Sequence, residues 1–276
     1  LKKYFTGITI AEEVGVYKPK QKIFKAAMAE FDPKYKAQDY EGSLDDFNTS
    51  IYIDSTISHH YGNRGIAKLK LNDYEGALQD FNKAVELNPA SVDAYFNRGS
   101  AQSTAGMYQM AIKDFDLVVD KDPNDKEAFL YRGISYEKME LTKTAINDYT
   151  AALDIDPTYK QAYYHRGNAL NTKDDFEDAI DDFNRAIHYK YISAEVYEQA
   201  GMAKLGVGNY FGALKAFDNA IKLNTDSPEA YYQRGVAKYN LHKDDEACSD
   251  WVKANALGHP YAQPTLEKYC KKSKRK

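Results

Sequence analysis

The fold is decided by residues 161–190, which read QAYYHRGNALNTKDDFEDAIDDFNRAIHYK. Apolar residues recur here at helical spacing in two runs, which predicts one helix from about Gln161 to Lys173 and a second from about Glu177 to Tyr189. Gly167 and Ala179 carry almost no side chain, so the axes of the two helices can approach closely. The stretch therefore predicts a tightly paired helical hairpin.

The same pattern recurs every 34 residues without an insertion or a deletion. The glycine column consists of Gly65, Gly99, Gly133, Gly167, Gly201 and Gly235. A later aromatic column consists of Phe81, Phe115, Tyr149, Phe183, Phe217 and Trp251. Six copies that stay in phase predict a stack of helix pairs, because each pair can bury its apolar face only against its neighbours.

These columns resemble the tetratricopeptide repeat family, whose 34-residue helix-turn-helix motif carries Gly, Ala, aromatic and Pro residues at these places. The resemblance implies an all-α fold, a right-handed superhelical solenoid of helix-turn-helix repeats with a C-terminal capping helix. The stretch from Ala247 to Cys270 looks like the last repeat and capping helix of bacterial, particularly Bacteroidetes-like, members. The predicted segments are an N-terminal segment at 1–39, a half repeat at 40–57, six repeats at 58–261, the capping helix at 262–270 and a basic tail at 271–276.

The N-terminal segment carries a different pattern. Residues 5–24, FTGITIAEEVGVYKPKQKIF, are similar to the segment around the phosphate-contacting lysine of haloacid-dehalogenase-like hydrolases, with Lys18 as the matching residue. No Asp-x-Asp nucleophile motif precedes Lys18, and repeats begin where an acidic pair for magnesium would follow. Because a lone lysine cannot perform phosphoryl transfer, residues 1–31 are interpreted as a remnant, a fusion or the visible end of a longer chain, and no enzymatic activity is predicted. A truncated or fused phosphatase with a repeat-type interaction domain is the alternative.

The charge of the chain bears on its partners. Five of the 37 basic residues lie in 271–276, so residues 1–270 hold 32 basic against 41 acidic side chains. An acidic body repels phosphate backbones, which predicts that the chain has no nucleic-acid partner. No run approaches the ~18 apolar residues of a membrane span, so no span is predicted.

Two polar columns accompany the glycine and aromatic columns. An arginine precedes the glycine in five repeats, and an aspartate precedes the later aromatic residue in the same five. The fifth repeat has Ala200 and Ala216 at these places. This joint loss predicts that arginine and aspartate pair within one repeat, with Arg98 and Asp114 as the test pair. The ion pairs would fix the register of the helices, and anion binding by the arginines is the alternative.

In the family, the first helix of each repeat lines an inner groove. The matching positions predict a partner-binding surface made of Phe96, Leu130, Ile134, Tyr164, Asn168, Asn171, Tyr232 and Tyr239. Family members that clamp a carboxylate use Lys and Arg in these columns, which this chain lacks, so a carboxylate clamp is not predicted. Acidic residues edge the same face, which predicts a protein or peptide ligand with apolar anchors and some positive charge. The alternative is that the tyrosines pack against the next helix. Catalytic residues, metals and cofactors are not predicted.

The two cysteines lie symmetrically about the Gly258-His259 turn. An antiparallel hairpin would bring Cys248 and Cys270 close enough to bond, and buried free thiols are the alternative. A bond would indicate an extracytoplasmic, periplasmic location, whereas free thiols would indicate the cytoplasm.

Overall fold

The computed structural model of the chain describes residues 40–270. These residues form fourteen α-helices and no β-strand, so the predicted all-α repeat fold is confirmed. The chain divides into two compact parts at Gly106. We call residues 40–106 the N-terminal part and residues 107–270 the C-terminal part.

The N-terminal part contains four helices: α1 (Tyr40–Ile53), α2 (Ser58–Lys70), α3 (Tyr74–Leu87) and α4 (Val92–Thr104). The C-terminal part contains α5 (Tyr108–Lys121), α6 (Lys126–Lys138), α7 (Thr142–Ile155), α8 (Lys160–Asn171), α9 (Phe176–His188), α10 (Ala194–Gly206), α11 (Tyr210–Leu223), α12 (Pro228–Asn240), α13 (Asp244–Ala256) and α14 (Ala262–Tyr269). Each repeat consists of a helix A and a helix B. The second repeat is divided between the parts, with α4 as its helix A and α5 as its helix B.

The hairpin predicted from residues 161–190 corresponds to α8 and α9, whose bounds differ from the predicted ones by one or two residues. The turn between them contains Asp174 in the left-handed region, with a φ of 61°. The residues at the same place in the five other repeats are also left-handed: Asn72, Gly106, Glu140, Gly208 and His242. One residue with positive φ therefore reverses the chain between helix A and helix B, a feature that the column pattern did not predict.

The glycine and aromatic columns meet in the seam between helix A and helix B. A Cβ atom added at Gly167 would lie 2.8 Å from Cε1 of Phe183, and one added at Gly235 would lie 2.5 Å from Nε1 of Trp251. The Phe183 side chain is completely buried. The ring thus lies directly on the glycine, which explains why the two columns occur together.

Arginine and aspartate pair within one repeat, as predicted. Arg166 donates from Nε and Nη2 to the two carboxylate oxygens of Asp182, at 2.8 Å each. The same two-point pair joins three further residue pairs: Arg64 and Asp80, Arg132 and Asp148, and Arg234 and Asp250. Of the test pair, Arg98 lies in the N-terminal part and Asp114 in the C-terminal part, so this pair stays a prediction.

Each of these arginines also contacts the preceding repeat. Nη1 of Arg132 donates to Asp116 at 2.7 Å, and Nη1 of Arg166 donates to Thr150 at 3.1 Å. The acceptor always lies sixteen residues before the arginine, on helix B of the repeat before it, and the other acceptors are Asn48, Asn82 and Asp218. The arginine column therefore ties successive helices B together, which supports its structural interpretation.

The capping helix closes the C-terminal end of the stack. Tyr269 of α14 lies with its ring centroid 4.8 Å from that of Tyr239 and 5.9 Å from that of Trp251. Cys248 of α13 and Cys270, directly after α14, form a disulfide with a Cα–Cα distance of 5.8 Å. The prediction that these cysteines are close enough to bond is confirmed.

Candidate functional site: the helix A face of the C-terminal part

Seven of the eight predicted groove residues lie in the C-terminal part, and Phe96 lies on α4 in the N-terminal part. The seven differ in their accessibility. Leu130 on α6 is only 4% exposed and belongs to the apolar core. Ile134, one turn later, is partly buried against the same core. Leu130 therefore supports the surface from below and offers a ligand little area.

Tyr164 of α8 is half-buried and packs between two apolar clusters. Its ring centroid lies 5.1 Å from that of Tyr191, 6.4 Å from that of Phe183 and 5.2 Å from that of His165. These contacts hold the ring in place. Its hydroxyl makes no hydrogen bond to any residue of the described range.

His165 supports Tyr164 from the adjacent position of α8. Its ring also lies 5.8 Å from that of Tyr149. Burial lowers the pKa of His165 to about 4, and the positive charge of Lys138 adds to this shift. The imidazole is therefore neutral at pH 7 and packs as a ring. The repeat pattern did not predict this residue, because no other repeat has a histidine at that position.

Asn168 and Asn171 are one helical turn apart on α8, and Asn168 is one turn beyond Tyr164. Asn171 Nδ2 donates to the backbone oxygen of Gln199 at 3.2 Å, which ties α8 to α10. The Oδ1 atoms of both asparagines are buried and accept no hydrogen bond from residues 40–270. A buried acceptor without a donor costs ~1–3 kcal/mol, so these two oxygens favour a ligand that brings N–H groups.

The fifth repeat places a carboxylate in the column that holds Tyr164 and Tyr232. Glu198 is half-buried and accepts a hydrogen bond from Ser227 Oγ at 2.6 Å. Burial raises the pKa of Glu198, and the nearby carboxylates of Glu195 and Glu229 raise it further. No cation within the described residues pairs with Glu198. This part of the face is therefore negatively charged.

Tyr232 and Tyr239 lie at the end of the face, where α14 covers α12. The Tyr232 ring stacks on that of His259 at 4.0 Å, and its hydroxyl lies 3.2 Å from Thr265 Oγ1. Tyr239 contacts Tyr269 of α14 and stays 38% exposed. The structure thus brings Tyr164, Asn168 and Asn171 together, whereas Tyr232 and Tyr239 form a second group against the capping helix.

Residues 40–270 hold neither a metal-binding cluster nor a membrane-spanning helix. Within that range no group of three or more His, Cys, Asp or Glu side chains is arranged to hold a metal ion. The helices of the same range all fall short of the length and apolarity needed to cross a bilayer.

Family models of the tetratricopeptide repeat match three regions of the chain. Models described as tetratricopeptide repeat match residues 92–125 and 130–194, and one described as TPR repeat matches 65–106 and 207–241. Together these matches cover more than half of the chain. The chain belongs to the tetratricopeptide repeat family.

Solved structures of other tetratricopeptide repeat (TPR) proteins share this fold. A MamA protein is 28% identical, with a TM-score of 0.57, over 62% of this TPR chain and 94% of its own. YrrB, a TPR protein with an unusual peptide-binding site, is 23% identical, with a TM-score of 0.55, over 67% of this chain and 95% of its own. The C-terminal part of a TPR repeat-containing protein from Cytophaga hutchinsonii is 22% identical, with a TM-score of 0.63, over 76% of this chain and 88% of its own. No curated protein matches the chain in sequence.

The matched TPR models begin at Gly65. The resemblance of residues 1–31 to haloacid-dehalogenase-like hydrolases, with Lys18 as the matching lysine, therefore finds no support in these matches. Those residues also lie outside the range that the structure describes.

Proposed function

We propose that this TPR chain is a protein-interaction scaffold that binds an extended segment of a partner protein on the helix A face of its C-terminal part. The observation that carries the proposal is the pair of buried oxygens, Asn168 Oδ1 and Asn171 Oδ1, that no described residue satisfies. Backbone N–H groups of an extended peptide are suitable donors. A bound segment gains the hydrogen bond to Asn168 when that side chain turns toward it, while Asn171 keeps its bond to Gln199.

Tyr164 supplies the apolar anchor of this surface. Its ring is held by Phe183 and Tyr191, so binding costs it little rotamer entropy. Its hydroxyl is free of described partners, which leaves a polar tip next to Asn168. Tyrosines with these properties are enriched among residues that dominate binding energy.

The charge of the face indicates the chemistry of the partner. Glu198 is half-buried close to Glu195 and Glu229, and these like charges disfavour its ionised form. A lysine or arginine of the bound segment would relieve this repulsion. The proposed ligand therefore has apolar anchors and at least one positive charge. YrrB has a peptide-binding site, but at 23% identity the similarity supports only a shared fold. The proposal therefore rests on the residues of this chain.

The proposal is tested by selecting peptides from a random displayed library on the immobilised full chain and measuring their Kd in solution. We expect the selected peptides to carry apolar residues together with Lys or Arg. The double variant Tyr164→Ala/Asn168→Ala should weaken their binding by ~2 kcal/mol, about thirtyfold in Kd, without a change in helicity.

The matched control is Tyr52→Ala/Asn184→Ala, which also removes one tyrosine and one asparagine. Tyr52 is 92% exposed at the end of α1, and Asn184 is exposed on α9. This variant should bind the selected peptides like the unmodified chain. Equal binding by the Tyr164→Ala/Asn168→Ala variant would refute the groove, and so would loss of its helical fold, since the two residues would then belong to the core.

We also propose that the protein functions outside the cytoplasm. The disulfide between Cys248 and Cys270 fixes α14 to α13, and such bonds persist in oxidising compartments.

A further inference from the structure

Three repeats carry a lysine at the same place on helix A: Lys68, Lys204 and Lys238, each three residues after the glycine. In the first repeat, Lys68 Nζ lies 2.8 Å from Asp80 Oδ2. In the sixth repeat, Lys238 Nζ lies 2.9 Å from Asp250 Oδ2 and 3.6 Å from Glu246 Oε2. A lysine at this position therefore reaches carboxylates on helix B of its own repeat.

The fifth repeat keeps the lysine and has lost both acceptors. The residues in register with Glu246 and Asp250 are Gly212 and Ala216, which carry no polar side-chain atom. Their helix, α11, packs against α10 as α13 packs against α12. Within residues 40–270, Lys204 makes no ion pair and no side-chain hydrogen bond. Lys204 thus occupies the position at which Lys68 and Lys238 bind carboxylates, but the fifth repeat has no carboxylate there.

Lys204 is half-buried, so its ammonium group is only partly solvated. Burial lowers its pKa, and no neighbouring charge contributes to the shift. Binding of an anion stabilises a half-buried cation that has no counter-ion. The ammonium group has already lost part of its hydration in the folded chain, so less hydration is lost when the anion binds. The arginine of the column is also absent here, since Ala200 replaces it, so no guanidinium competes for an incoming anion.

We propose that Lys204 is the cationic half of a carboxylate-binding site, which a partner protein completes with an Asp or Glu side chain. The first and sixth repeats show how such a site is built, because the lysine at this position binds an aspartate in both. The site lies beside Gly212 and Ala216 on the seam between α10 and α11. It uses none of the residues of the proposed peptide surface, and so it stands independently of that surface.

The full chain is first treated with a limiting amount of an amine-reactive acetyl ester, and acetylation is measured at each lysine by mass spectrometry. Lys204 should react several-fold faster than Lys68 and Lys238, which are held in ion pairs. Hexaglutamate is then added as the carboxylate probe. It should slow acetylation of Lys204 about fivefold and leave the exposed Lys222 of α11 unaffected.

Two substitutions of one residue provide matched variants. Ala216→Asp restores the aspartate of the column, so it should slow acetylation of Lys204 to the rate of Lys238 and abolish protection by hexaglutamate. The asparagine of Ala216→Asn is nearly as large as aspartate but carries no charge. This variant should therefore keep both the fast acetylation of Lys204 and its protection by hexaglutamate. Circular dichroism and melting of both variants establish that the fold is kept. As a second readout, Lys204→Gln should weaken binding of fluorescein-labelled hexaglutamate about fivefold, whereas Lys222→Gln should not change it.

Equal protection of Lys204 and Lys222 would overturn the proposal, because the probe would then act on any lysine. An Ala216→Asn variant that behaves like Ala216→Asp would also overturn it, since bulk rather than charge would close the site. Protection of Lys204 by inorganic phosphate but not by hexaglutamate would reject the carboxylate assignment and identify a phosphate site.

Discussion

The guanidinium of Arg166 and the carboxylate of Asp182 meet through two parallel hydrogen bonds of 2.8 Å that join helix A and helix B of one repeat. The Asp182 side chain is 4% exposed and that of Arg166 is 22% exposed. Burial raises the pKa of Asp182, while the hydrogen bonds from Arg166 act in the opposite direction. Arg166 therefore stabilises the ionised form of Asp182, which burial alone would disfavour.

Removing the arginine alone should be costly. Arg166→Ala leaves a buried carboxylate without a cation, and we expect it to lower the free energy of unfolding by ~3 kcal/mol. Arg166→Ala/Asp182→Ala reproduces the fifth repeat, which has alanine at both places, and should cost less than the single change. Urea unfolding of the two variants checks this. A double variant as unstable as the single one would contradict the importance of the unpaired charge.

The glycine column can be tested with one matched pair of substitutions. Gly167→Ala places a Cβ atom 2.8 Å from the Phe183 ring and should destabilise the fold by ~2 kcal/mol, because the two helices must move apart. Gly62→Ala is the control, since no atom lies within 4 Å of its added Cβ. That change should stabilise α2 by ~0.5–1 kcal/mol through helix propensity. Melting temperatures of the two variants should move in opposite directions.

His165 should make stability depend on pH. Its pKa is lowered to about 4 in the folded chain, so between about pH 6.5 and 4 the unfolded chain binds a proton that the folded chain does not. The contribution of the neutral ring is present above pH 6.5 and is lost as the pH falls toward 4, by up to ~3 kcal/mol. His165→Gln should flatten the curve between pH 6.5 and 5. A titration of the imidazole by NMR with a midpoint near 6.5 would contradict the burial argument.

The disulfide should hold the capping helix in place. Cys248→Ser/Cys270→Ser removes a cross-link across 22 residues, and we expect a loss of ~3 kcal/mol in the stability of α14. Faster proteolysis in α14 and a changed near-ultraviolet signal of Trp251 would report this. In freshly isolated native protein, no thiol should react without reductant. Two reactive thiols would rule out the extracytoplasmic placement.

The periodic columns predicted the parts of the fold that depend on neighbouring repeats. Gly167 and Phe183 lie in the seam as expected, and arginine and aspartate pair within repeats. These features follow from spacing alone, because a residue that recurs in phase meets the same neighbours each time. The connection of Arg132 to Asp116 in the preceding repeat was missed, since its acceptor varies among Asn, Asp and Thr.

The candidate site was predicted less completely, because its residues are the ones that break the pattern. Spacing predicts which face of a helix a side chain occupies, but not how deeply it is buried. Leu130 and Tyr164 share one column, yet Leu130 is buried and Tyr164 is half-exposed. Tyr232 and Tyr239 have the same register as groove residues, yet α14 lies against them. The supporting role of His165 and the orphaned oxygens of the two asparagines depend on packing that no column encodes.

The arginine column has a mechanical consequence. We call the contact between two successive helices B a joint. Within the two parts, an arginine side chain bridges four joints, but Ala200 leaves the joint between α9 and α11 without such a bridge. When the C-terminal part is pulled at its ends, it should yield first at this joint. Asn171 of α8 and Gln199 of α10 connect the helices A of the same two repeats, so a peptide bound beside them would reinforce this connection. Ligand binding would then stiffen the C-terminal part at its most compliant point.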